Sequence, residues 1–257
     1  MKLTVIGCSG SYPGPDSPAS CYLVEAMGVD ASGEARTWRI LLDLGNGALG
    51  ELHKHVDPRT IDAVFLTHLH ADHFMDLCGY YVLRKYHPEG PQSQIPVWGP
   101  AGAADRLARC YDLPLDPGMR EEFDFRDHGP RPVQFGPFTV EAVEVAHPVP
   151  AYSLRVHADD RLLVYTGDCG PCDGLDKAAQ GADLLLAEAA FCDGDANPEG
   201  LHLTGTEVAQ TAIRAGAGRL VLTHIPPWHD KQIALREARA LWDGPLDLAR
   251  TGGTYEV

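Results

Sequence analysis

The run Val64-Phe-Leu-Thr-His68-Leu-His70-Ala-Asp72-His73 constrains this chain more than any other stretch. Three His and one Asp fall within six residues. They follow a short apolar segment with strand character and precede one with helical periodicity, so they sit at a strand-to-helix junction. In an extended turn, residues 68 and 70 point to one side and can share one ion. Asp72 and His73 open the helix and can turn toward a second ion. Imidazole and carboxylate at this density suit Zn²⁺ or a similar borderline cation. The plainer reading is a patch of surface histidines. It fits poorly, because burying four such groups without a cation leaves polar atoms unsatisfied.

Three further candidates stand at the ends of other apolar runs. His147 follows Phe138–Val145, Asp168 follows Leu162–Thr166, and His224 follows Leu220–Thr223. Taken singly, each reads as a turn or cap residue. With the first cluster they make a set of seven ligands.

The remaining strand candidates are Leu3–Ile6, Cys21–Glu25, Trp38–Asp43, Ala63–Thr67, Ile95–Trp98, Tyr152–Val156 and Leu184–Ala187. Helical periodicity marks Gly47–Val56, His73–Lys85, Ala101–Tyr111, Gly205–Ala215 and Lys231–Trp242, with Thr204 or Thr206 as a cap of the fourth. Strands interleaved with single helices predict a layered α/β fold. The length of 257 residues and the lack of a clear linker predict one domain over residues 1–257. Val29–Arg36 reads as a hairpin tip, and Pro114–Gly136 as a long loop-rich excursion. A coarse duplication is also expected, each half running from strands into a helix that starts after a His-bearing turn.

Composition narrows the partners. There are 36 Asp and Glu against 21 Lys and Arg, for a formal charge of −15. That balance argues against a broad grip on long nucleic acid, whose affinity comes mostly from phosphate neutralisation. No apolar run is long enough for a membrane helix. The start MKLTVIGCSG lacks the apolar core of a signal peptide, so a cytoplasmic location is expected. Seven scattered Cys do not form a secreted disulfide pattern. Cys169-Gly-Pro-Cys172 is the only close pair, and it lacks the context of a redox or zinc motif.

Thr67-His68-Leu69-His70-Ala71-Asp72-His73 resembles the HxHxDH signature of the metallo-β-lactamase superfamily. His147, Asp168 and His224 fall at its later ligand positions, in the right order. The resemblance covers nearly the whole chain. It implies an α/β fold, the αββα sandwich of two facing mixed β-sheets with helices outside. It implies two divalent metal ions, zinc in the first place and manganese as the alternative. His68, His70 and His147 would hold one; Asp72, His73 and His224 would hold the other; Asp168 would bridge them. The di-iron flavoprotein branch has Glu where His70 stands, and the true β-lactamases have Cys where Asp168 stands, so both branches are disfavoured.

The branch follows from smaller motifs. Leu3-Thr-Val-Ile-Gly7-Cys-Ser9-Gly10-Ser11 resembles the Gly-rich opening of the RNase Z-like group, where Ser9 and Ser11 could approach a phosphate. Leu186-Ala-Glu188-Ala-Ala resembles that group's His-Glu-Ala-Thr motif, with Ala187 in place of the His. Leu201-His202-Leu-Thr204 resembles its His-bearing helix start. The resemblance makes Asp72, His202 and Glu188 the catalytic group, with His202 as proton donor and Glu188 as its support. The long basic arm of the tRNA-processing enzymes has no counterpart in the short interval 148–167. Residues 173–207 carry eight acidic side chains against one Lys, a face that would repel RNA.

The chain looks most like atypical bacterial cyclic-nucleotide phosphodiesterases, sharing Gly14-Pro-Asp-Ser-Pro-Ala, Tyr86-His-Pro and Thr223-His-Ile-Pro-Pro-Trp228. Hydrolysis of 3′,5′-cyclic AMP or a related small phosphodiester is the expected activity. A tRNA 3′-processing endoribonuclease and an acyl hydrolase such as a lactonase are the alternatives. Trp228, four residues from His224, is the best candidate for base stacking. Tyr80, Tyr81, Arg84 and Tyr86 read first as helix packing. A homodimer is compatible with the resemblance.

Overall fold

The central strands are buried along nearly their whole length, and successive side chains point to opposite faces and so join different apolar clusters. In the computed structural model, which describes residues 1–257, Tyr22 and Val24 face one apolar cluster while Cys21 and Leu23 face another. Leu163 and Tyr165 likewise part from Leu162 and Val164, and Leu184 and Leu186 from Leu185 and Ala187. Sheets apolar on both faces must be covered on both. The result is a four-layer sandwich of two mixed seven-stranded sheets with helices outside.

The first half contributes β1 (Lys2–Gly7), β2 (Cys21–Val29), β3 (Ala35–Leu42), α1 (Ala48–Leu52), β4 (Ala63–Phe65), α2 (Ala71–Phe74), α3 (Leu77–Tyr86), β5 (Ile95–Gly99), α4 (Ala103–Cys110) and β6 (Phe123–Asp127). The second contributes β7 (Val133–Phe135), β8 (Phe138–Val145), β9 (Ala151–Ala158), β10 (Arg161–Tyr165), α5 (Asp173–Ala179), β11 (Leu184–Glu188), α6 (Gly205–Ala215), β12 (Leu220–Thr223), α7 (Lys231–Arg239) and β13 (Leu246–Leu248). The last strand, β14 (Thr254–Glu256), crosses back to pair with β1.

The strand orders are β14-β1-β2-β3-β4-β5-β6 and β7-β8-β9-β10-β11-β12-β13. Read in those directions, both sheets have three antiparallel pairings followed by three parallel ones. The two sheets thus share one pairing pattern, with β14 from the end of the chain completing the first. It also points β8, β10, β11 and β12 the same way, so His147, Asp168, Glu188 and His224 arrive at one end of the second sheet.

The structure corrects several expectations. The helix expected over His73–Lys85 is two helices, α2 and α3. Asp76, at the break, turns its carboxylate to the backbone N–H of Leu49 (2.8 Å) at the start of α1. The excursion Pro114–Gly136 holds β6 and β7, which form sheet edges. Their exposed polar positions read as loop because an edge strand has a solvated side. Two more short strands, β13 and β14, and helix α5 also escape the periodicity reading. The Cys169/Cys172 pair is not a disulfide. Cys172 caps α5, its sulfur accepting from the N–H groups of Leu175 and Ala146.

Candidate metal centre and active site

β4 ends at Phe65, and the chain turns through Thr67 into the four-residue helix α2. This turn sets His68, His70, Asp72 and His73 at the sheet end. Ligand atoms of His68, His70, His147 and Asp168 lie within 4.8 Å of one another. So do those of Asp72, His73, Asp168 and His224. Asp168 belongs to both groups. Its Oδ1 is 3.2 Å from His73 Nε2 and 3.3 Å from His224 Nε2, while Oδ2 is 3.8 Å from His68 Nε2. All seven residues proposed as ligands from sequence therefore converge.

Two close contacts need glycine. A Cβ on Gly45 would sit 1.9 Å from the Asp72 carbonyl oxygen, and one on Gly10 would sit 2.2 Å from that of His224. His224 itself holds a φ of 54°, a region costly for a residue with a side chain. Such strain at the end of a buried strand is tolerated where the surroundings hold the residue in place.

Asp43, at the end of β3, was not singled out from sequence. It is fully buried and takes four contacts. Oδ1 accepts from Thr67 N (2.7 Å); Oδ2 accepts from Thr67 Oγ1 (2.9 Å) and Tyr165 Oη (3.0 Å), and faces His73 Nδ1 at 2.7 Å. A carboxylate only accepts, so His73 Nδ1 carries the proton and Nε2 is left as a lone pair facing the cluster. Thr67 Oγ1, having donated to Asp43, can accept from His68 Nδ1 (3.1 Å), which frees His68 Nε2 in the same way. His147 Nδ1 donates to the Leu201 carbonyl (3.1 Å). The outer nitrogens of three histidines are thus tied to protein oxygens. The available signal was an Asp closing the apolar run Ile40-Leu-Leu on the same sheet edge. Asp43→Asn should lower metal affinity by about 10–100-fold, read by chelator competition, because an amide nitrogen cannot accept these bonds.

The electrostatics suit divalent cations. Burial, with the neighbouring imidazoles, holds His68, His70 and His147 below the usual histidine range, which keeps them neutral and able to bind a cation. Burial opposes charge on Asp72 and Asp168, but the adjacent histidines outweigh it and both carboxyls stay ionised. Burial also opposes charge on His73, yet the carboxylates of Asp168, Asp43 and Asp72 pull it toward the cationic form. The centre therefore calls for positive charge. Asp168 Oδ1 is buried without a hydrogen-bond donor, and the Nε2 atoms of His73 and His224 face each other at 3.2 Å. A cation between these donors satisfies all three.

Beside the cluster lies a His–Glu pair. Glu188, at the end of β11, is fully buried. Its Oε1 accepts from Cys169 N (3.0 Å) and His202 Nδ1 (2.8 Å), and its Oε2 from Ala190 N (3.0 Å). Burial lowers the basicity of His202, but the Glu188 carboxylate more than reverses this, and the imidazole is pushed up to about 9. The segment holding His202 is pinned by pairing of Phe191 with Thr204 and by the capping box of Thr204 and Glu207 at the start of α6. The His202 ring lies 5.6 Å from that of His224 and 5.7 Å from that of His147, centre to centre.

Residues 38–225 match the family model described as the beta-lactamase superfamily domain. The chain belongs to this superfamily. It is a metallo-hydrolase of the β-lactamase fold, and the clustered His and Asp side chains fit divalent metal ions. An uncharacterized protein of Mycobacterium tuberculosis is 39% identical over 262 residues, covering 100% of this chain and 92% of the relative. The crystal structure of the metallo-β-lactamase fold protein YhfI of Bacillus subtilis is similar with a TM-score of 0.84 at 26% identity, over 99% of both chains. Human tRNase Z, short form, is similar with a TM-score of 0.76 at 26% identity, over 100% of this chain and 99% of that one. This metallo-hydrolase is thus near RNase Z-like structures.

The loop of residues 9–17 packs beside His224, with Gly10 N donating to the Ile225 carbonyl. Ser9 is buried and its hydroxyl is spent on the Tyr12 carbonyl (2.7 Å), so it shapes the loop from within. Ser11 is exposed, with a φ of 64°. Trp228 is 60% exposed and lies 5.5 Å from the Tyr12 ring, centre to centre. Tyr12 was not singled out from sequence. Tyr80, Tyr81 and Arg84 are buried in or beside α3 packing, and only Tyr86 is exposed.

Proposed function

We propose that this metallo-hydrolase is a phosphodiesterase acting on a small phosphodiester, 3′,5′-cyclic AMP or a related cyclic nucleotide. The observation that carries the reading is the Glu188–His202 pair set against the clustered His and Asp side chains. Two ions held by His68, His70, His147, Asp168, Asp72, His73 and His224 would activate water near neutral pH and neutralise phosphoryl charge. The remaining work falls to the protein. His202 is fixed at Nδ1 by Glu188, which leaves Nε2 as the proton donor to a phosphoryl oxygen or to the departing 3′ oxygen. Water adds to phosphorus, the P–O3′ bond breaks, and the 3′ oxygen leaves with a proton, giving the 5′-monophosphate.

A small substrate fits the surroundings better than RNA. Between His147 and Asp168 the chain makes only the tight hairpin β9–β10, and no arm projects from it. Zinc is the first choice of ion and manganese the second, since both accept such His and Asp sets.

The deciding assay is hydrolysis of cyclic AMP, bis(p-nitrophenyl) phosphate, a precursor tRNA and a lactone, with Zn²⁺ or Mn²⁺ supplied. Turnover of the two phosphodiesters is expected. Turnover of the lactone with neither phosphodiester cleaved would overturn the reading, and cleavage of precursor tRNA alone would make the chain an endoribonuclease.

The exposed Tyr12 and Trp228 rings are suited to receive a base. Stacking of this kind contributes about 1–3 kcal/mol. Trp228→Ala is therefore expected to raise KM for cyclic AMP roughly 5- to 100-fold with kcat little changed. The KM for bis(p-nitrophenyl) phosphate, which has no purine, should move far less.

A further inference from the structure

The strands that carry Asp43 and His68 toward the metal centre begin at a second hollow, of about 660 Å³. It is lined by the early part of β3, the residues leading into β4 and β5, and the end of α3. The metal centre lies past the C-terminal ends of the same strands, so the two sites are at opposite ends of the first sheet. The volume falls in the range of small-molecule sites.

Four arginines, Arg36, Arg39, Arg59 and Arg84, line this hollow, and Asp62 is the only carboxylate that does. This is unusual in a chain with a formal charge of −15. Arg36 is paired with Asp62 (2.8 Å), and Arg59 is paired with Asp57 and Glu89. Arg39 commits only its Nε, to Glu25 (3.0 Å), so both of its Nη groups are free.

Arg84 is the decisive residue. It is 1% exposed and is the only buried Lys or Arg in the protein. Arg84 forms no ion pair with a carboxylate. Its partners are neutral, the Tyr80 hydroxyl (3.1 Å) and the Ser93 carbonyl, and its Nε has none. A buried, uncompensated guanidinium is costly unless an anion can reach it. The same wall holds a second buried donor without a partner, Trp38 Nε1.

We propose that this hollow binds a phosphate-bearing small molecule, with Arg84 supplying charge at the floor and the free Nη groups of Arg39 supplying hydrogen bonds from the wall. Guanidinium forks suit phosphate oxygens in shape and charge. The inference does not depend on the substrate assigned to the metal centre.

The test uses the metal-loaded protein with ¹⁵N-labelled tryptophan. The four indole N–H resonances, from Trp38, Trp98, Trp228 and Trp242, are followed by NMR, with Trp38→Phe giving the assignment. Titration with inorganic phosphate should shift the Trp38 resonance saturably, while chloride at equal ionic strength should not. A parallel titration with adenosine 5′-monophosphate distinguishes a nucleotide ligand, which binds more tightly, from phosphate alone. Arg39→Ser should weaken the Trp38 response at least tenfold while hydrolysis of bis(p-nitrophenyl) phosphate is unchanged. Arg84→Met should do the same. If Arg84→Met does not fold, Arg39→Ser decides. A folded Arg84→Met that keeps the wild-type phosphate response shows a purely structural Arg84 and overturns the proposal. A Trp38 resonance that ignores phosphate, or that responds equally in wild type and Arg39→Ser, overturns the proposal.

Discussion

Asp168→Ala is expected to strip metal from the protein and abolish hydrolysis. Asp168 is the one residue common to both ligand groups. It is 3% exposed, and its two oxygens face different sets of imidazoles. Removing it leaves five clustered histidines with Asp72 as the only remaining carboxylate among the candidate ligands. Changes to supporting partners of a metal site typically cost 10–100-fold in affinity or activity. Loss of a shared ligand should cost more, on the order of 10³-fold or beyond in turnover. Metal analysis after dialysis should show fewer than about two ions per chain falling toward none, since binding free energy is coupled to deprotonated ligands held in place. The variant should also melt at lower temperature than the loaded wild type, because bound metal stabilises the native state by mass action. A variant that keeps its metal and its activity would remove Asp168 from the centre.

His202→Ala is expected to behave differently: a fall in kcat of about 10²–10⁴-fold with metal content near wild type. His202 lies beside the cluster but is held through Nδ1 by Glu188, whose two oxygens also accept from the backbone N–H groups of Cys169 and Ala190. Metal loss in this variant would make His202 a ligand rather than a proton donor. Glu188 is a positioning residue, so its test needs a pH profile. The Glu188 carboxylate raises the basicity of His202 against the opposing effect of burial. In Glu188→Gln that support is gone, the imidazole loses its proton at lower pH, and the alkaline limb of kcat should move to lower pH. A Glu188→Gln profile superimposable on wild type, at reduced amplitude, would indicate that Glu188 only holds the local fold.

Much of this site was readable from sequence because its parts are local. His68, His70, Asp72 and His73 occupy one turn, and the strand before it and helix after it announce themselves by periodicity. His147, Asp168 and His224 each close an apolar strand, and parallel strands deliver such residues to a common end. Asp43 follows the same rule but stands alone, with no neighbouring His to draw attention to it. The edges β6 and β7 are not legible in the sequence because a strand with one solvated side and flanking Pro and Gly has the composition of a loop. The helix expected over His73–Lys85 is too long because its apolar spacing runs on through Met75, whereas the Asp76 N–H donates to the Leu44 carbonyl (3.2 Å) instead of continuing the helical ladder.

By itself, the sequence determined which His and Asp side chains could carry ligand chemistry and where the apolar strand runs end, since both follow from residue type and short-range period. Only the tertiary structure decided who meets whom. Asp43 reaches His73 across 30 positions, Tyr165 reaches Asp43 across 122, and His224 reaches Asp72 across 152. The uncompensated Arg84 became visible only when the chain had placed every carboxylate elsewhere. Such encounters depend on sheet order and register, which are set by packing two sheets face to face and leave no local mark in the chain.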